Sequence, residues 1–492
     1  MKRFIGIQHR TKKTKEGEAR PTMVTILVGK EKPVSYELKT EDEELSFAHA
    51  RFVTKWRTAE EGEDLDALPA WQVCTVGKAD KEKTLVAVSW DGLSKGDVVT
   101  MILGGSGDNF AFALSRKAED VNAVVQRCTG KSLNDRREVL GKKDKTEDAH
   151  ILAELGRDFP ALMFLCKVRD RRYITVRELW FQLEHAMHYR IACEVQLRQR
   201  MIGERFRRPD GLYPEGTIED DYNHRKSNDA ILQALLAQEK RIESELVKEI
   251  QQTTAWPLLQ TEAYKGVGPR IAARIFASVI DICRFIVLPD ESELGVLKAE
   301  LKPIEKRFEA ELAKISLAEC PFKTQGEQHY WRLQKLRAKK SGVEADQLER
   351  AIAIHKATHK IRQKAKQKSV GKLTAFCGAH VQKDGKFPRR RAGQTANYSP
   401  AARQALYLLA DQWVKRPNTY WGAKLRVNKE RLREIHPEAV IVDGKKKYTD
   451  GHIHKMAIWR TITQFVRRLA TDWMRLEGGT PLDVVLDQKL AA

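Results

Sequence analysis

The sequence predicts an α/β amino-terminal part followed by an all-α remainder. Residue periodicity carries that division, and two features of the charge bear on function. Short β-branched runs are confined to the first third of the chain, whereas apolar residues recur at helical spacing after about residue 165. Lys and Arg outnumber Asp and Glu by 88 to 67, a formal net charge of +21. The cations also cluster, from Lys356 to Arg391, against the single acid Asp384. Such an excess favours a polyanionic partner, because every neutralised phosphate releases counterions.

Strands are predicted at Arg3–Ile7, Thr22–Gly29, Thr84–Trp90, Val98–Leu103 and Asn122–Arg127. The polar stretch 31–68 reads as an insertion with helical character over Glu41–Trp56. After it, Lys145–Leu155 reads as a helix with Ala149, Leu152 and Leu155 inward, its early acids complementing the helix dipole. A mixed sheet followed by an acidic helix is the RNase H/RuvC arrangement, in which carboxylates hold two metal ions ~3.5–4 Å apart. Residues 1–165 are assigned to this domain.

Residues 166–255 read as a helical arm. Thr175-Val176-Arg177-Glu178 has the form of a capping box with Ile174 as its staple. It opens a helix striped by Leu179, Leu183, Met187, Ile191 and Val195. A polar turn, Arg207–Asn223, leads to a second helix over Ala230–Thr253. The pair fits a coiled-coil arm and a plain bundle hairpin equally.

Over 256–290, Tyr264–Arg274 is written as a helix-hairpin-helix turn usually is: two glycines around a valine, then Pro269 at a first helical position. Amides at such a helix start can face a phosphate. Gly266, Gly268, Arg270 and Arg274 are therefore candidate nucleic-acid contacts. A tight turn into a core helix, striped by Ile271, Ile275 and Val279, is the competing reading.

A charged helical insertion is expected over 291–370, as a pair of helices at Glu293–Ser316 and Gly326–Lys368. The last domain, 371–492, opens with an apolar helix end stopped by Gly378 and continues with a helix at Pro400–Trp413. Its final helix, His454–Leu476, carries the stripe Ile458, Ile462, Phe465, Leu469 and Trp473. Ser399 reads as the N-cap before Pro400. In the basic run, Lys360, Arg362, Lys364, Lys366, Lys368, Arg389, Arg390 and Arg391 are the candidate nucleic-acid contacts. Trp413, Tyr420 and Trp421 flank Lys415 and Arg416, a mixture suited to base stacking, although Trp413 equally fits an amphipathic core stripe. His185, His188, His355 and His359 read as polar surface residues, and His452 and His454 as a helix start.

No run approaches the ~20 apolar residues of a membrane span. The start MKRFIGIQHR does not read as a secretion signal, and seven scattered cysteines form no CxxC. The expectation is a cytoplasmic, nucleoid-associated protein without structural zinc or membrane contact.

Taken in order, several segments resemble the DEDD insertion-sequence transposases, which are bridge-RNA-guided recombinases, and their Tas relatives with a Nop-like RNA-binding module. Phe4–Gln8 resembles the family's first strand, and Met101–Gly107 its strand ending in Glu-x-Thr/Ser-Gly. Lys142–Ala149 resembles its Lys-Thr-Asp-x-x-Asp-Ala helix start. Gly266–Ala273, Ala375–Gly378 and Tyr398–Leu406 resemble its carboxy-terminal domain.

The resemblance implies a guide RNA, a double-stranded DNA target, dimerisation through the arm, and Mg2+ if the site is active. Asp148 aligns with a family acid, and Asp144 stands four residues before it where the family spacing is three. Asp144 and Asp148 are accordingly the candidate catalytic and metal-holding residues. Gln8 and Gly104 stand where the family has Asp and Glu, and Lys383-Asp384-Gly385 stands where it has a nucleophilic serine before glycine. The expectation is an RNA-guided DNA-binding protein with a degenerate catalytic set. Two alternatives remain: an active RuvC-type nuclease or transposase recruiting Asp91, Asp108 or Glu147, and a guide-independent nucleic-acid binder.

Overall fold

The computed structural model describes residues 2–10, 20–77, 82–141, 147–209, 216–280, 282–285, 291–318, 320, 325–382, 387–389, 396–442 and 445–477. Within its helices and strands, the side chains at 161, 291–293, 325–327, 359–360, 362–369, 442 and 445 lie outside that description. The protein is mixed α/β with a helical carboxy-terminal region. It divides into two compact units: Met1–Thr261 with Val267–Arg284, and Glu262–Gly266 with Phe285–Ala492.

The first unit starts with β1 (Arg3–Gln8), β2 (Thr22–Val28), β3 (Val34–Leu38) and α1 (Glu41–Ala48). Next come β4 (Phe52–Thr58), β5 (Val73–Val76), β6 (Lys83–Asp91), β7 (Val98–Ile102), α2 (Asp108–Val121), β8 (Val124–Cys128), α3 (Gly130–Val139), α4 (Asp148–Asp158) and β9 (Phe164–Leu165). The main sheet has the order β3-β2-β1-β7-β8-β9. In it β2 runs antiparallel to both β1 and β3, while β7 and β8 add in parallel to β1.

Strand alternation sorts the two faces of that sheet. Ile5, Ile7, Val99, Met101 and Val125 point into one core with Phe47 of α1 and Phe110 and Leu114 of α2. The intervening residues meet α4. A Cβ on Gly6 would stand 1.9 Å from the Ala149 carbonyl oxygen and 2.4 Å from the Ala153 nitrogen, so β1 and α4 touch backbone to backbone. Gln126 Nε2 donates to Thr100 Oγ1 at 3.1 Å and to the Gly156 carbonyl at 3.2 Å, tying the same helix to β7 and β8.

The stretch 31–68 departs from its expected form. Val34–Leu38 is the third strand of the main sheet, and the helix ends at Ala48 instead of reaching Trp56. Phe52–Thr58 pairs with β6 in a separate sheet of order β4-β6-β5, so Thr84–Trp90 is a strand but not of the main sheet. The physical reason is the run Phe-Val-Thr-Lys-Trp, whose β-branched and aromatic side chains favour a pleated strand.

The arm consists of α5 (Val168–Phe206), α6 (Ile218–Asn228) and α7 (Ala230–Gln251). Its first helix begins at Val168, ahead of the expected cap. There the Lys167 N–H donates to the Asp170 carboxylate at 2.9 Å, while Thr175 lies inside the helix and donates its hydroxyl to the Arg171 carbonyl at 3.1 Å. The buried stripe is Leu183, Ala186, Leu197 and Met201; Ile191 and Val195 are exposed. Leu197 and Met201 pack on Leu232, and Arg190 reaches Glu239 at 2.6 Å, so α5 and α7 run antiparallel. After α8 (Trp256–Leu259), α9 (Pro269–Val279) packs on both, burying Ala272, Ala273, Ile275, Phe276 and Val279.

In the second unit, α10 (Glu291–Ala313), α11 (Gln325–Arg337) and α12 (Gly342–Phe376) replace the expected helical pair. Gly342, at φ +60°, makes the break that the periodicity did not show. Phe308, Leu312, Leu333, Leu336, Leu348 and Ala351 form their shared core. Beyond them lie α13 (Pro400–Lys415), α14 (Tyr420–Ile435), the short strands β10 (Val440–Val442) and β11 (Lys445–Lys447), and α15 (Asp450–Glu477). Every residue of the expected final stripe is buried, and Ser399 caps α13 by accepting from the Ala402 N–H at 3.3 Å. No described helix is long and apolar enough to cross a membrane.

Gly6→Ala is expected to cost ~1–3 kcal/mol or more in denaturant unfolding, since backbone must move. Gly130→Ala, with nothing within 4 Å of the added Cβ, is the control and should fall within about 0.5 kcal/mol of the parent.

Candidate functional site

Asp148 opens α4 and is fully buried. Both its oxygens are taken by one guanidinium: Arg137 Nε donates to Oδ1 at 2.6 Å, and Arg137 Nη2 donates to Oδ2. A bidentate fork of this kind satisfies a carboxylate and occupies the face a metal would need. The partner candidate, Asp144, lies outside the described residues.

The substitute acids are engaged as well. Asp108, buried at the start of α2, receives Arg127 at 3.1 Å, Arg177, and the Gly104 N–H at 3.1 Å. Asp91 receives Arg3 at 2.8 Å and the Tyr36 hydroxyl at 3.0 Å. Burial and the adjacent Asp91 push the Tyr36 hydroxyl up to about 12. Glu147 stands exposed at the N-cap of α4. Gln8 shares the α4 side of β1 with Gly6, and its carboxamide oxygen is buried without a hydrogen-bond partner. An amide there carries no charge for a cation. The described residues therefore do not fit a two-magnesium site, which needs several ionised carboxylates open to the ions.

The cations of the glycine turn are ion-paired with acids of the arm helices. Gly266 adopts φ +105°, a conformation that suits glycine, and Gly268 precedes α9 in extended form. Arg270 forks onto Glu243 at 2.6 and 2.7 Å and also reaches Glu239 at 3.2 Å. That hydrogen bonding holds the Glu243 carboxyl below the ordinary range. Arg274 lies 3.5 Å from Glu184 and over the Trp180 ring. Both arginines thus join α9 to the arm helices. The core-helix reading of this segment is the one its packing follows.

Trp413 and Trp421 are also corrected as stacking candidates. They are 1% and 3% exposed, stack on each other, and pack against Phe465. Only Tyr420 of that trio is exposed.

In the basic run, Lys360, Arg362, Lys364, Lys366 and Lys368 occupy positions of α12, with side chains outside the description; Arg390 and Arg391 lie outside it entirely. Arg389 is exposed. A second cationic surface escaped the sequence reading. Lys424, Arg426, Lys429 and Arg431 are exposed on α14, and no ion pair among the described residues engages them. Their signal was a cation at nearly every second or third position of a helix whose inward stripe is Trp421, Leu425, Asn428 and Leu432.

Neither a protein-family model nor a curated protein matches this chain.

Arg137→Ala is expected to destabilise the protein by about 3–5 kcal/mol, because it strands a buried carboxylate. Converting both partners to Leu should recover a large part of that loss. Denaturant unfolding of the single and double variants measures the difference.

Proposed function

We propose that this is a nucleic-acid-binding protein, guided by RNA to duplex DNA, on an RNase H-like scaffold that has lost part of its catalytic set and holds Asp148 in an arginine pair. The observation that carries the reading is the Arg137–Asp148 fork. The one acid that aligns with the transposase pattern is sealed by a cation instead of open to a metal.

Two further features support it. The mixed sheet, with β2 antiparallel to β1 and β3, β7 and β8 parallel to β1, and α4 packed on it, supports the proposed scaffold. The net charge of +21, with exposed cations on α14 and at Arg389, suits a phosphate backbone. In this reading base pairing supplies specificity, and the protein contributes shape and charge. Dimerisation through α5 and α7 completes it, using the exposed Phe181, Ile191 and Val195.

Purification followed by sequencing of bound nucleic acid tests the proposal. A discrete, recurring RNA is expected, with no Mg2+-dependent cutting of a duplex matched to it. A preparation free of RNA, or clean cutting abolished by Asp148→Ala, overturns it.

Replacing Lys424, Arg426, Lys429 and Arg431 together by Ala should weaken RNA binding. It should also flatten the log–log salt dependence by about 0.7–0.9 for each phosphate that is no longer neutralised. An unchanged slope in a filter-binding titration removes α14 from the interface.

A further inference from the structure

Three helices of the second unit each deliver one metal-ligating side chain to a single point. Glu305 comes from α10, His329 from α11 and His355 from α12. Glu305 Oε1 lies 2.7 Å from His329 Nε2 and 3.0 Å from His355 Nε2, and the three ligand atoms all lie within 4.8 Å of one another. The two imidazole rings are 5.3 Å apart and inclined by 48°.

The helices behind these groups are held by apolar packing. Glu305 stands one turn before Phe308, His329 one turn before Leu333, and His355 one turn after Ala351, all core residues of the three-helix cluster. Backbone positions are therefore set by the core, while the ligand atoms stay partly accessible to solvent: the side chains of Glu305, His329 and His355 are 32%, 33% and 21% exposed. A cation can enter without unfolding the unit.

The donor chemistry selects among cations. Two imidazole nitrogens and one carboxylate oxygen suit zinc-class divalent ions, whereas Mg2+ and Ca2+ prefer all-oxygen shells. A hydrogen-bonded triad would require both Nε2 atoms to carry protons directed at one oxygen. A bound cation uses the lone pairs of all three atoms at once. Three protein ligands also leave a fourth position of a tetrahedral ion for water or another donor.

We propose that Glu305, His329 and His355 bind one zinc-class divalent cation that staples α10, α11 and α12 together. The site is independent of the nucleic-acid reading and of the carboxylates beside the sheet.

The full-length chain, stripped with chelator and dialysed, is titrated with Zn2+ by calorimetry and assayed for bound metal. One zinc per chain is expected, with millimolar Mg2+ failing to compete. Glu305→Gln, His329→Gln and His355→Gln should each weaken zinc binding by more than about tenfold, since even supporting residues of metal sites cost 10–100-fold. Zinc should raise the melting temperature of the parent and not of the variants.

Because a variant can fail to fold, Co2+ loading of the parent gives a second readout. Visible d–d bands without sulfur-to-metal charge transfer are expected for nitrogen and oxygen ligands. Absence of stoichiometric zinc, affinity unchanged in all three variants, or a thiolate charge-transfer band would each overturn the assignment.

Discussion

Arginine forks on buried carboxylates organise the first unit. Asp148 is held by Arg137, Asp108 by Arg127 and Arg177, and Asp97 by Arg3 at 2.7 and 2.9 Å. Withdrawing a carboxylate from water is costly unless a cation and further hydrogen bonds replace the solvent. Each fork therefore fixes two elements at once. Arg137 locks α3 to the start of α4, Arg177 brings the arm helix α5 to α2, and Arg3 ties β1 to the strap before β7. The same satisfaction removes these acids from any metal. The sheet and its flanking helices are joined by these charges, and none of the three carboxylates is left open.

Charge pairing also decides which cations remain for a partner. Glu239 and Glu243 absorb Arg270, and Glu239 receives Arg190 as well. Those two arginines are therefore neutralised between α9 and the arm helices. On α14 the acids are few and the cations are exposed to solvent, so that helix keeps its charge at the surface. A formal excess over a whole chain says that cations outnumber their partners. Only pairing says where the surplus lies.

The second unit shows the same principle in apolar form. Trp413, Trp421 and Phe465 fill its core, and Tyr264 donates to the buried Asp472 at 2.6 Å. The aromatic residues that sit near cations in the sequence are packed inward because a helical stripe needs large side chains, and an indole buried on both faces cannot receive a base. The three-helix cluster of α10, α11 and α12 is held by its own leucines, which lets its partly exposed face carry a histidine–glutamate constellation.

Much of the architecture was legible in the chain. The β-branched runs at Arg3, Thr22, Val98 and Asn122 became strands because alternation of side chains is a local property. The stripe from Ile458 to Trp473 became a buried helix face because its spacing is local too. Gly6 and Gly342 were not legible: the first is demanded by the backbone of α4 far along the chain, the second by a turn that leaves helical spacing unbroken. The partners of Asp148, Asp108, Arg270 and Arg274 were equally hidden, since charges many residues apart choose one another only once the helices have packed. Composition and periodicity determined that this protein has a sheet, helices and a cationic excess. Which charges are buried in pairs, and which stay open, was decided by tertiary structure alone, because desolvation depends on every neighbour a residue acquires.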